Sequence, residues 1–258
     1  MNRLRLTRRG VAGQVQSFPV RWVPKMGQSI SRAEFAAWNE EMVRQFDPDA
    51  YHNHPSLVVR TVERMRVRTL LRLLDVKPGN RVLEVGCGAG NILAQISAAE
   101  LCGVDISESM VAKAKARLGP AANIQLADAE NLPFENQRFD RVYCSEVLEH
   151  VIDPGVVLRE MRRVVTHNGV VAVSVPNETF INGVKRIVFK AGPLGRRLLG
   201  MGEGGYESVE RMDDAWHLHA FDRRLLEEAA RPWFHIEQVV AIPSPLSPIR
   251  FAARLLPR

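Results

Sequence analysis

Apolar residues recur at steps of three and four residues along two segments between residues 29 and 75, and this spacing predicts two amphipathic helices. The first helix, which follows a serine, is expected to carry an apolar side of Phe35, Trp38, Met42 and Phe46. The second is expected to carry an apolar side of Leu57, Val58, Val62, Met65, Leu70 and Leu73. We expect Lys77-Pro78-Gly79 to end the second helix. Residues 29–75 are therefore predicted to form an N-terminal helical cap, with a loop between its two helices.

From residue 81 onward, short apolar runs alternate with helical segments. The seven runs are RVLEV, LCGVD, NIQLAD, RVYCSE, GVVAVSVP, FHIEQVVAI and IRFAARL. Short continuous apolar runs are typical of strands that are buried on both faces of a parallel sheet. Ser107 and Asp153-Pro154 are expected to begin helices, Gly119-Pro120 to end one, and Asn168-Gly169 to turn a helix into the next strand. Residues 76–258 are therefore predicted to form an α/β core, a doubly wound sheet that binds ligands at the carboxyl ends of its strands.

Residues 178–216 interrupt the alternation, and we interpret them as an insert before the last helix. Within the insert, residues 184–199 combine an apolar face with cationic side chains. The apolar face consists of Val184, Ile187, Val188, Ala191 and Leu198, and the cations are Lys185, Arg186, Lys190, Arg196 and Arg197. Such a segment can lie in a membrane interface, or it can serve as a lid whose apolar face covers a pocket. The sequence leaves both interpretations open.

The positive charge of the chain is concentrated at its start. The net charge is +6, and residues 1–28 contain six basic and no acidic residues, which leaves 29 basic and 29 acidic residues in the rest of the chain. We interpret residues 1–28 as a basic flexible tail. A nucleic-acid enzyme usually carries its positive charge on the folded body, so the neutral body argues against a nucleic-acid partner.

The sequence predicts a cytoplasmic protein. No apolar run is long enough to span a bilayer, and the basic start is not followed by the apolar stretch of a secretory signal. Cys87, Cys102 and Cys144 lie in or beside apolar runs and do not show the paired spacing of a disulfide framework. Membrane association is expected only if residues 184–199 contact lipid.

The segment VLEVGCGAG at residues 82–90 carries the strongest chemical signal. Its turn consists of Gly86, Cys87, Gly88, Ala89 and Gly90, where a ligand can approach bare backbone. We expect a helix from Asn91 to point its amide donors at that ligand. Dinucleotide dehydrogenases prefer the spacing G-x-G-x-x-G, whereas this turn reads G-x-G-x-G. Glu84, two residues before the first glycine, also suits a cationic ligand better than a pyrophosphate, so an NAD-dependent oxidoreductase is disfavoured.

Carboxylates also follow the next two predicted strands. Asp105, beside Ile106, ends the second strand 19 residues after Gly86, and its carboxylate can accept both hydroxyls of a ribose. Asp128, beside Ala129, ends the third strand and can accept an adenine amino group. The alternatives are a loop aspartate at residue 105 and a turn-forming aspartate at residue 128.

The segments VLEVGCGAG, GVDIS, DAENLPF, FDRVYCSEVLEHV and VSVPN resemble, in this order, the signature segments of the class I S-adenosylmethionine-dependent methyltransferases. They are most similar to the small-molecule branch related to ubiquinone-biosynthesis O-methyltransferases. The resemblance covers residues 76–177 and is weaker elsewhere. It implies a Rossmann-like sheet of seven strands, the last of them antiparallel, and S-adenosylmethionine as the cofactor.

The resemblance also implies a role for each candidate residue. Glu84 and the turn from Gly86 to Gly90 would hold the methionine part of the cofactor. Asp105 would hold the ribose, and Asp128 with Ala129 the adenine. Ser145 and Glu146, at the end of the fourth strand, would line the floor near the sulfonium.

Methyltransferases that act on DNA bases or glutamine carry an acidic or amide residue, two prolines and an aromatic residue at the end of the fourth strand, where this chain has CSEV. We therefore expect methyl transfer to a small-molecule or lipid-like acceptor, with oxygen as the expected atom. The alternative is a regulatory protein that binds S-adenosylmethionine without catalysis.

A hydroxyl acceptor requires a base, and the candidates are His219, His217 and His150. The alternative for each is a histidine that bridges backbone groups in a buried turn. The pairs His52/His54 and His217/His219 lack a third ligand at suitable spacing, so no metal site is predicted. Tyr51 either closes over the cofactor as part of a lid or packs between the first two helices.

Overall fold

The computed structural model describes residues 30–51, 56–97, 100–190 and 216–258. Four predicted features lie outside the described residues. They are the basic tail at residues 1–28, the pair His52 and His54, the side chain of Tyr51, and the part of the insert from residue 191 to residue 215.

A seven-stranded sheet forms the centre of the fold. Its strands are β1 (Arg81–Val85), β2 (Glu100–Asp105), β3 (Ala122–Leu126), β4 (Phe139–Ser145), β5 (Val165–Pro176), β6 (Phe234–Ser244) and β7 (Ser247–Pro257). The strand order is β3-β2-β1-β4-β5-β7-β6, and β7 is antiparallel to both of its neighbours. This confirms the predicted sheet and its antiparallel last strand. The strand order reverses between β1 and β4, and a crevice at the carboxyl ends of such strands is where open α/β sheets bind ligands.

Seven helices are described, and most of them cover the two faces of the sheet. They are α1 (Phe35–Phe46), α2 (Pro48–Tyr51), α3 (Leu57–Leu74), α4 (Glu108–Leu118), α5 (Pro154–Val164), α6 (Glu178–Lys190) and α7 (Arg223–Ala230). The helices α3 and α4 bury apolar residues against one face, whereas α5 and α7 do so against the other. None of the helices in the described ranges has the length and hydropathy needed to cross a bilayer.

The predicted helix starts of the core are confirmed. Ser107 Oγ accepts a hydrogen bond from the backbone of Met110, and Asp153 accepts two from the first turn of α5. Each cap satisfies amide groups that the helix itself leaves without a partner. Gly119, with a φ of 51°, ends α4 as expected.

One local prediction is wrong. Asn91 does not begin an α-helix, because the described residues 91–97 form a 3₁₀ turn, Leu93–Gln95, whose leucine is fully buried in the core. Asn168-Gly169 lies within β5, at a bulge: Phe139 of β4 pairs with Val165 and Arg141 pairs with Val170, so residues 166–169 stand out of the regular pairing. A Cβ on Gly169 would lie 2.5 Å from a methyl group of Val165 and 3.0 Å from the Asp140 carbonyl oxygen. The predicted change of direction therefore falls inside the strand, at a bend that leaves no room for a side chain.

The buried side of α3 also differs from the predicted one. Leu57 and Val58 are 70% and 72% exposed, because they belong to the first turn of the helix. The buried residues are Val62, Glu63, Arg66, Val67, Leu70, Leu73 and Leu74. An ion pair therefore occupies part of the side that packs on the sheet. The helix ends at Leu74, before Lys77, because Asp75 adopts the left-handed conformation.

Candidate functional site

The glycine turn after β1 forms one wall of the crevice. Gly86, Gly88 and Gly90 have φ values of 71°, 49° and 77°, which glycine adopts at little steric cost. A Cβ on Gly86 would lie 2.3 Å from a methyl group of Val147, the second residue after β4. A Cβ on Gly88 would meet no atom within 4 Å. The turn therefore packs closely against β4 on one side and presents bare backbone to open space on the other.

Asp105 joins the tip of β2 to the glycine turn. Its Oδ2 accepts a hydrogen bond from the Gly88 backbone at 2.8 Å, and its Oδ1 accepts one from the Ser107 backbone at 2.9 Å. Burial raises the pKa of Asp105, while these backbone donors lower it. Because a carboxylate oxygen can accept two hydrogen bonds, each oxygen retains capacity for one ribose hydroxyl. Ile106, the residue after Asp105, is half-buried.

Glu84 is buried at the penultimate position of β1, where only 2% of it is exposed. Its Oε2 has no hydrogen-bond partner in the part of the chain that the structure describes. Burial raises the pKa of Glu84 from 4.5 to about 8. A buried carboxyl oxygen without a partner costs free energy, and a cationic ligand would satisfy it. The observation fits the ammonium group of a methionine moiety.

Asp128 lies in the loop two residues after β3 rather than at the end of the strand. Its Oδ1 accepts a hydrogen bond from the Glu130 backbone at 2.8 Å, which is the turn-forming role that the sequence left open. Asp128 and Ala129 are both half-buried. One carboxylate oxygen therefore shapes the loop, and adenine binding by this residue stays a prediction.

Ser145 and Glu146, at the end of β4, belong to a buried network that the sequence analysis did not predict. Arg66 Nη1 donates to Ser145 Oγ and, at 3.3 Å, to Ser174 Oγ. Ser174 Oγ donates to Glu146 Oε1 at 2.9 Å, and Arg250 Nε donates to Glu146 Oε2 at 2.7 Å. Glu146 itself has a φ of 55°. Three strands and α3 therefore determine where this carboxylate lies.

Sequence signals for this network existed in part. Glu63 and Arg66 are three residues apart on α3, and each stands next to an apolar residue, Val62 or Val67. This spacing puts the two charged residues on the same face of the helix as the apolar ones. Ser174 and Arg250 carry no comparable signal, because only the pairing of β5 with β7 brings them to Glu146.

A cluster of histidines and glutamates lies in the segment after β4, at the start of α6 and beside Trp216. His217 Nδ1 lies 2.8 Å from Glu178 Oε1, and both residues are buried. His150 Nδ1 lies 3.3 Å from the Trp216 carbonyl oxygen. The two imidazole rings meet edge to face, with their centroids 4.8 Å apart. A partner at Nδ1 favours the tautomer whose basic lone pair is on Nε2.

Glu149 completes this cluster. Burial, and then the neighbouring carboxylate of Glu146, raise the pKa of Glu149 well above its ordinary value. One oxygen or nitrogen atom from each of Glu149, His150 and His217 lies within 4.8 Å of the others. Groups that hold a metal ion show this spacing, whereas direct proton transfer requires about 2.6–3.2 Å between the heavy atoms. The fold therefore supplies a third donor group that the sequence pattern lacked.

His219 occupies a different environment from His217. Its Nε2 lies 2.9 Å from the Val151 carbonyl oxygen and 3.2 Å from that of Ile152. Burial lowers the pKa of His219. A ring nitrogen that faces two carbonyl oxygens donates to them, so His219 has the bridging geometry that the sequence left as its alternative.

The N-terminal helices contact the same region through residues that the sequence analysis missed. Ser107 Oγ donates to Glu40 Oε2 at 2.6 Å, next to Asp105. Asn91 donates to Asp49 at 2.8 Å, directly after the glycine turn. Phe46 stacks on Trp216 at a centroid distance of 6.2 Å. The helical cap therefore connects the glycine turn to the segment that carries His217.

Comparisons with known proteins show to which family the chain belongs. A family described as "Methyltransferase domain" matches residues 83–173. The chain is 30% identical over 192 residues to the demethylmenaquinone methyltransferase of Staphylococcus aureus, covering 70% of this chain and 78% of that protein. It is 30% identical over 166 residues to the ubiquinone biosynthesis O-methyltransferase of Bradyrhizobium diazoefficiens, covering 60% of this chain and 65% of that protein.

The fold has solved counterparts as well. A crystal structure from Pyrococcus horikoshii superposes with a TM-score of 0.60 at 21% identity, covering 84% of this chain and 99% of that one. At this identity the likeness supports the fold alone. Four of the curated relatives are matched over 40% to 66% of their own length.

We expect Glu84→Gln to change both ligand binding and stability. Loss of the charge should weaken S-adenosylmethionine binding by about tenfold to a hundredfold, because a hydrogen bond to a charged group contributes about 1.5–3 kcal/mol. The folded-state pKa of about 8 lies above the ordinary 4.5, so the ligand-free protein should lose stability as pH rises through this interval. The glutamine variant should not show this loss from residue 84.

Calorimetric titration and thermal unfolding at several pH values measure these two effects. The exposed Glu135→Gln variant is the matched control. Equal pH dependence of unfolding in the two variants would contradict the assignment.

Gly86→Ala is expected to displace the loop after β4 and weaken cofactor binding, because its Cβ would overlap Val147. Gly79→Ala introduces alanine at a similarly positive φ, 81°, with no atom within 4 Å of the new Cβ. Both variants place alanine at a positive φ, but only Gly86→Ala brings a Cβ against Val147. A larger loss of cofactor affinity for Gly86→Ala would therefore be due to this contact. Equal affinity in the two variants would argue against the contact.

Proposed function

Because the chain belongs to the class I S-adenosylmethionine-dependent methyltransferases, we propose that it transfers a methyl group from this cofactor to an oxygen atom of a small, lipid-like acceptor. The observation that carries the proposal is the buried pair of His217 and Glu178. A hydroxyl must lose its proton as it attacks, and a positioned imidazole can accept that proton.

The residues of the proposed cofactor side would bind and orient S-adenosylmethionine. Glu84 would hold the ammonium group, the backbone of the Gly86–Gly90 turn would border the methionine part, and Asp105 would accept the ribose hydroxyls. When bound, S-adenosylmethionine supplies a methyl group on a sulfonium centre, whose leaving group is neutral. Correct alignment of acceptor and donor can then contribute about 7–11 kcal/mol of the barrier reduction.

The residues of the proposed acceptor side would accept the proton that the acceptor hydroxyl loses. Glu178 holds His217 at Nδ1 and would stabilise the imidazolium that forms when Nε2 accepts a proton. His150 and Glu149 lie beside His217 in the same cluster. His219 is a weaker candidate base than His217, because its Nε2 donates to two carbonyl oxygens.

A lipid-like acceptor is supported by two observations. The relatives named above are described as methyltransferases of ubiquinone biosynthesis and of demethylmenaquinone. In this chain, α6 begins at Glu178, the partner of His217, and exposes Ile187 at 70% and Val184 at 39%. We propose that α6, with Lys185, Arg186 and Lys190, forms the described part of a peripheral membrane contact over residues 184–199.

The first experiment asks whether the protein is catalytic. The purified protein is incubated with methyl-labelled S-adenosylmethionine and a lipid extract of the host. Formation of S-adenosylhomocysteine together with a labelled lipid supports the proposal. Cofactor binding without either product would favour the alternative, a regulatory protein that binds the cofactor without catalysis.

We expect His217→Gln to lower turnover by about a hundredfold to ten-thousandfold, the usual contribution of a general base, while cofactor affinity stays unchanged. The exposed His167→Gln variant is the control. A parallel assay with a chelator separates proton transfer from metal binding in the Glu149, His150 and His217 cluster. Full activity of His217→Gln would exclude it as the base.

The membrane contact predicts that the protein co-sediments with vesicles containing anionic lipid and less well with purely zwitterionic vesicles. Ile187→Glu should reduce the bound fraction, because it places a charge on the exposed apolar face of α6. Leu246→Glu alters another exposed apolar residue, at the β6–β7 turn, and serves as the comparison. Equal binding of both variants would contradict a contact through α6.

A further inference from the structure

Arg66 is a buried arginine in the middle of α3. Only 4% of Arg66 is exposed, and the same is true of its partner Glu63. Its Nε donates to Glu63 Oε2 at 2.9 Å, and its Nη2 donates to Glu63 Oε1. Burying a charged pair costs desolvation energy that apolar residues would not cost, so such a pair is weak evidence of a purely stabilising role. Its remaining contacts indicate what it does.

Nη1, the guanidinium nitrogen of Arg66 that does not contact Glu63, begins a chain of hydrogen bonds and determines its direction. Arg66 Nη1 donates to the hydroxyls of Ser145 and Ser174, and a guanidinium has no acceptor. The Ser174 oxygen therefore accepts from Arg66 and directs its own hydrogen elsewhere, to Glu146 Oε1 at 2.9 Å. Through this chain, a residue of α3 determines the orientation of side chains at the ends of β4 and β5.

The segment that these contacts position lies against the glycine turn. Glu146 directly follows β4, and the next residue, Val147, is the one that a Cβ on Gly86 would overlap. The Glu146 backbone also donates to the Ser174 carbonyl oxygen at 3.0 Å. A shift of Ser174 would therefore move the wall of the crevice that faces the cofactor turn.

Arg66 also acts on Glu84 through its charge. The pKa of Glu84 is raised first by burial, and Arg66 and the Tyr143 hydroxyl of β4 act in the opposite direction. Asp105 of β2 raises it further. The neighbouring thiols Cys87 and Cys144 have pKa values raised by burial, so both are neutral near pH 7. Arg66 is thus the cation that favours the carboxylate form of Glu84 among the described groups that face it.

We propose that Arg66 is a positioning residue for the cofactor, which orients Ser145 and Ser174 at the crevice and supplies the positive charge that allows Glu84 to ionise when the ammonium group of the cofactor binds. The inference rests on the cofactor role given to Glu84 under the proposed function. It adds that helix α3, outside the sheet and its loops, determines both the shape and the charge of the site.

The pH dependence of cofactor binding tests the electrostatic part. Because Glu84 is mostly protonated below pH 8, binding of a cation should release a proton, and affinity should rise with pH up to about 8. Removing the positive charge of Arg66 should move this rise to higher pH. A loss of packing alone would lower affinity without moving the midpoint.

The double variant is chosen so that neither charge of the Glu63–Arg66 pair is left buried without the other. Glu63→Gln serves as the parent, and Glu63→Gln with Arg66→Met removes the cation from it. Arg66→Lys keeps the charge and loses the planar fork, so it should weaken binding without a shift of the midpoint. Ser174→Ala removes the hydroxyl that connects Arg66 to Glu146 and should behave like Arg66→Lys. Arg64→Met and Arg68→Met alter exposed arginines of the same helix and should behave like the wild type.

Affinity for S-adenosylmethionine is measured by calorimetry between pH 6 and 9, in buffers of different ionisation enthalpy so that proton release is counted directly. The double variant should bind at least about tenfold more weakly than its parent at pH 7, with its midpoint at higher pH. Unchanged affinity and midpoint in the double variant would overturn the proposal. If the double variant does not fold, full affinity of both Arg66→Lys and Ser174→Ala would overturn it. Absence of binding by the wild type at every pH would instead refute the proposed function.

Discussion

The close packing of Gly86 against Val147 is the constraint on which the site depends. The distance leaves no room for a side chain between the end of β1 and the loop after β4. These are the two strands at which the strand order reverses, so the contact determines the width of the crevice there. The positive φ of Gly86 turns the backbone away from β4 at the same point, and Asp105 holds the turn from the side of β2. Three strand ends thereby form one rigid frame.

Within this frame the protein buries several ionisable groups. Glu84, Asp105, the pair of Glu63 and Arg66, and the pair of Glu146 and Arg250 all lie at or beneath the carboxyl ends of the strands. Apolar side chains of similar size would fill the same space at lower cost in desolvation. Each group is satisfied by a backbone amide or by an opposite charge, except that one oxygen of Glu84 has no partner within the described residues. The exception lies where a cationic ligand is expected, which is the physical reason to regard these charges as functional.

The two groups of proposed site residues differ in kind. The proposed cofactor side is built from backbone donors and carboxylates on short turns, and its geometry follows from the sheet. The proposed acceptor side is built from side chains of separate segments, since His217 follows the insert, Glu178 begins α6, and Glu149 and His150 follow β4. A fold divided in this way can keep one cofactor site while its other segments serve different acceptors.

The sequence alone determined the alternation of strands and helices, the helix caps at Ser107 and Asp153, and the glycine turn with Glu84 and Asp105, because each depends on residues that are close along the chain. It misplaced the apolar face of α3, where Glu63 and Arg66 lie within a buried stripe. It did not show that Asn168-Gly169 falls at a bulge inside β5 rather than between α5 and β5, because that depends on the pairing with β4. Only the tertiary structure decided which histidine lies beside a carboxylate and which bridges carbonyl oxygens, since His217 and His219 are two residues apart in one segment. Their partners, Glu178 for one and Val151 with Ile152 for the other, are distant in sequence and are brought there by the packing of the sheet ends.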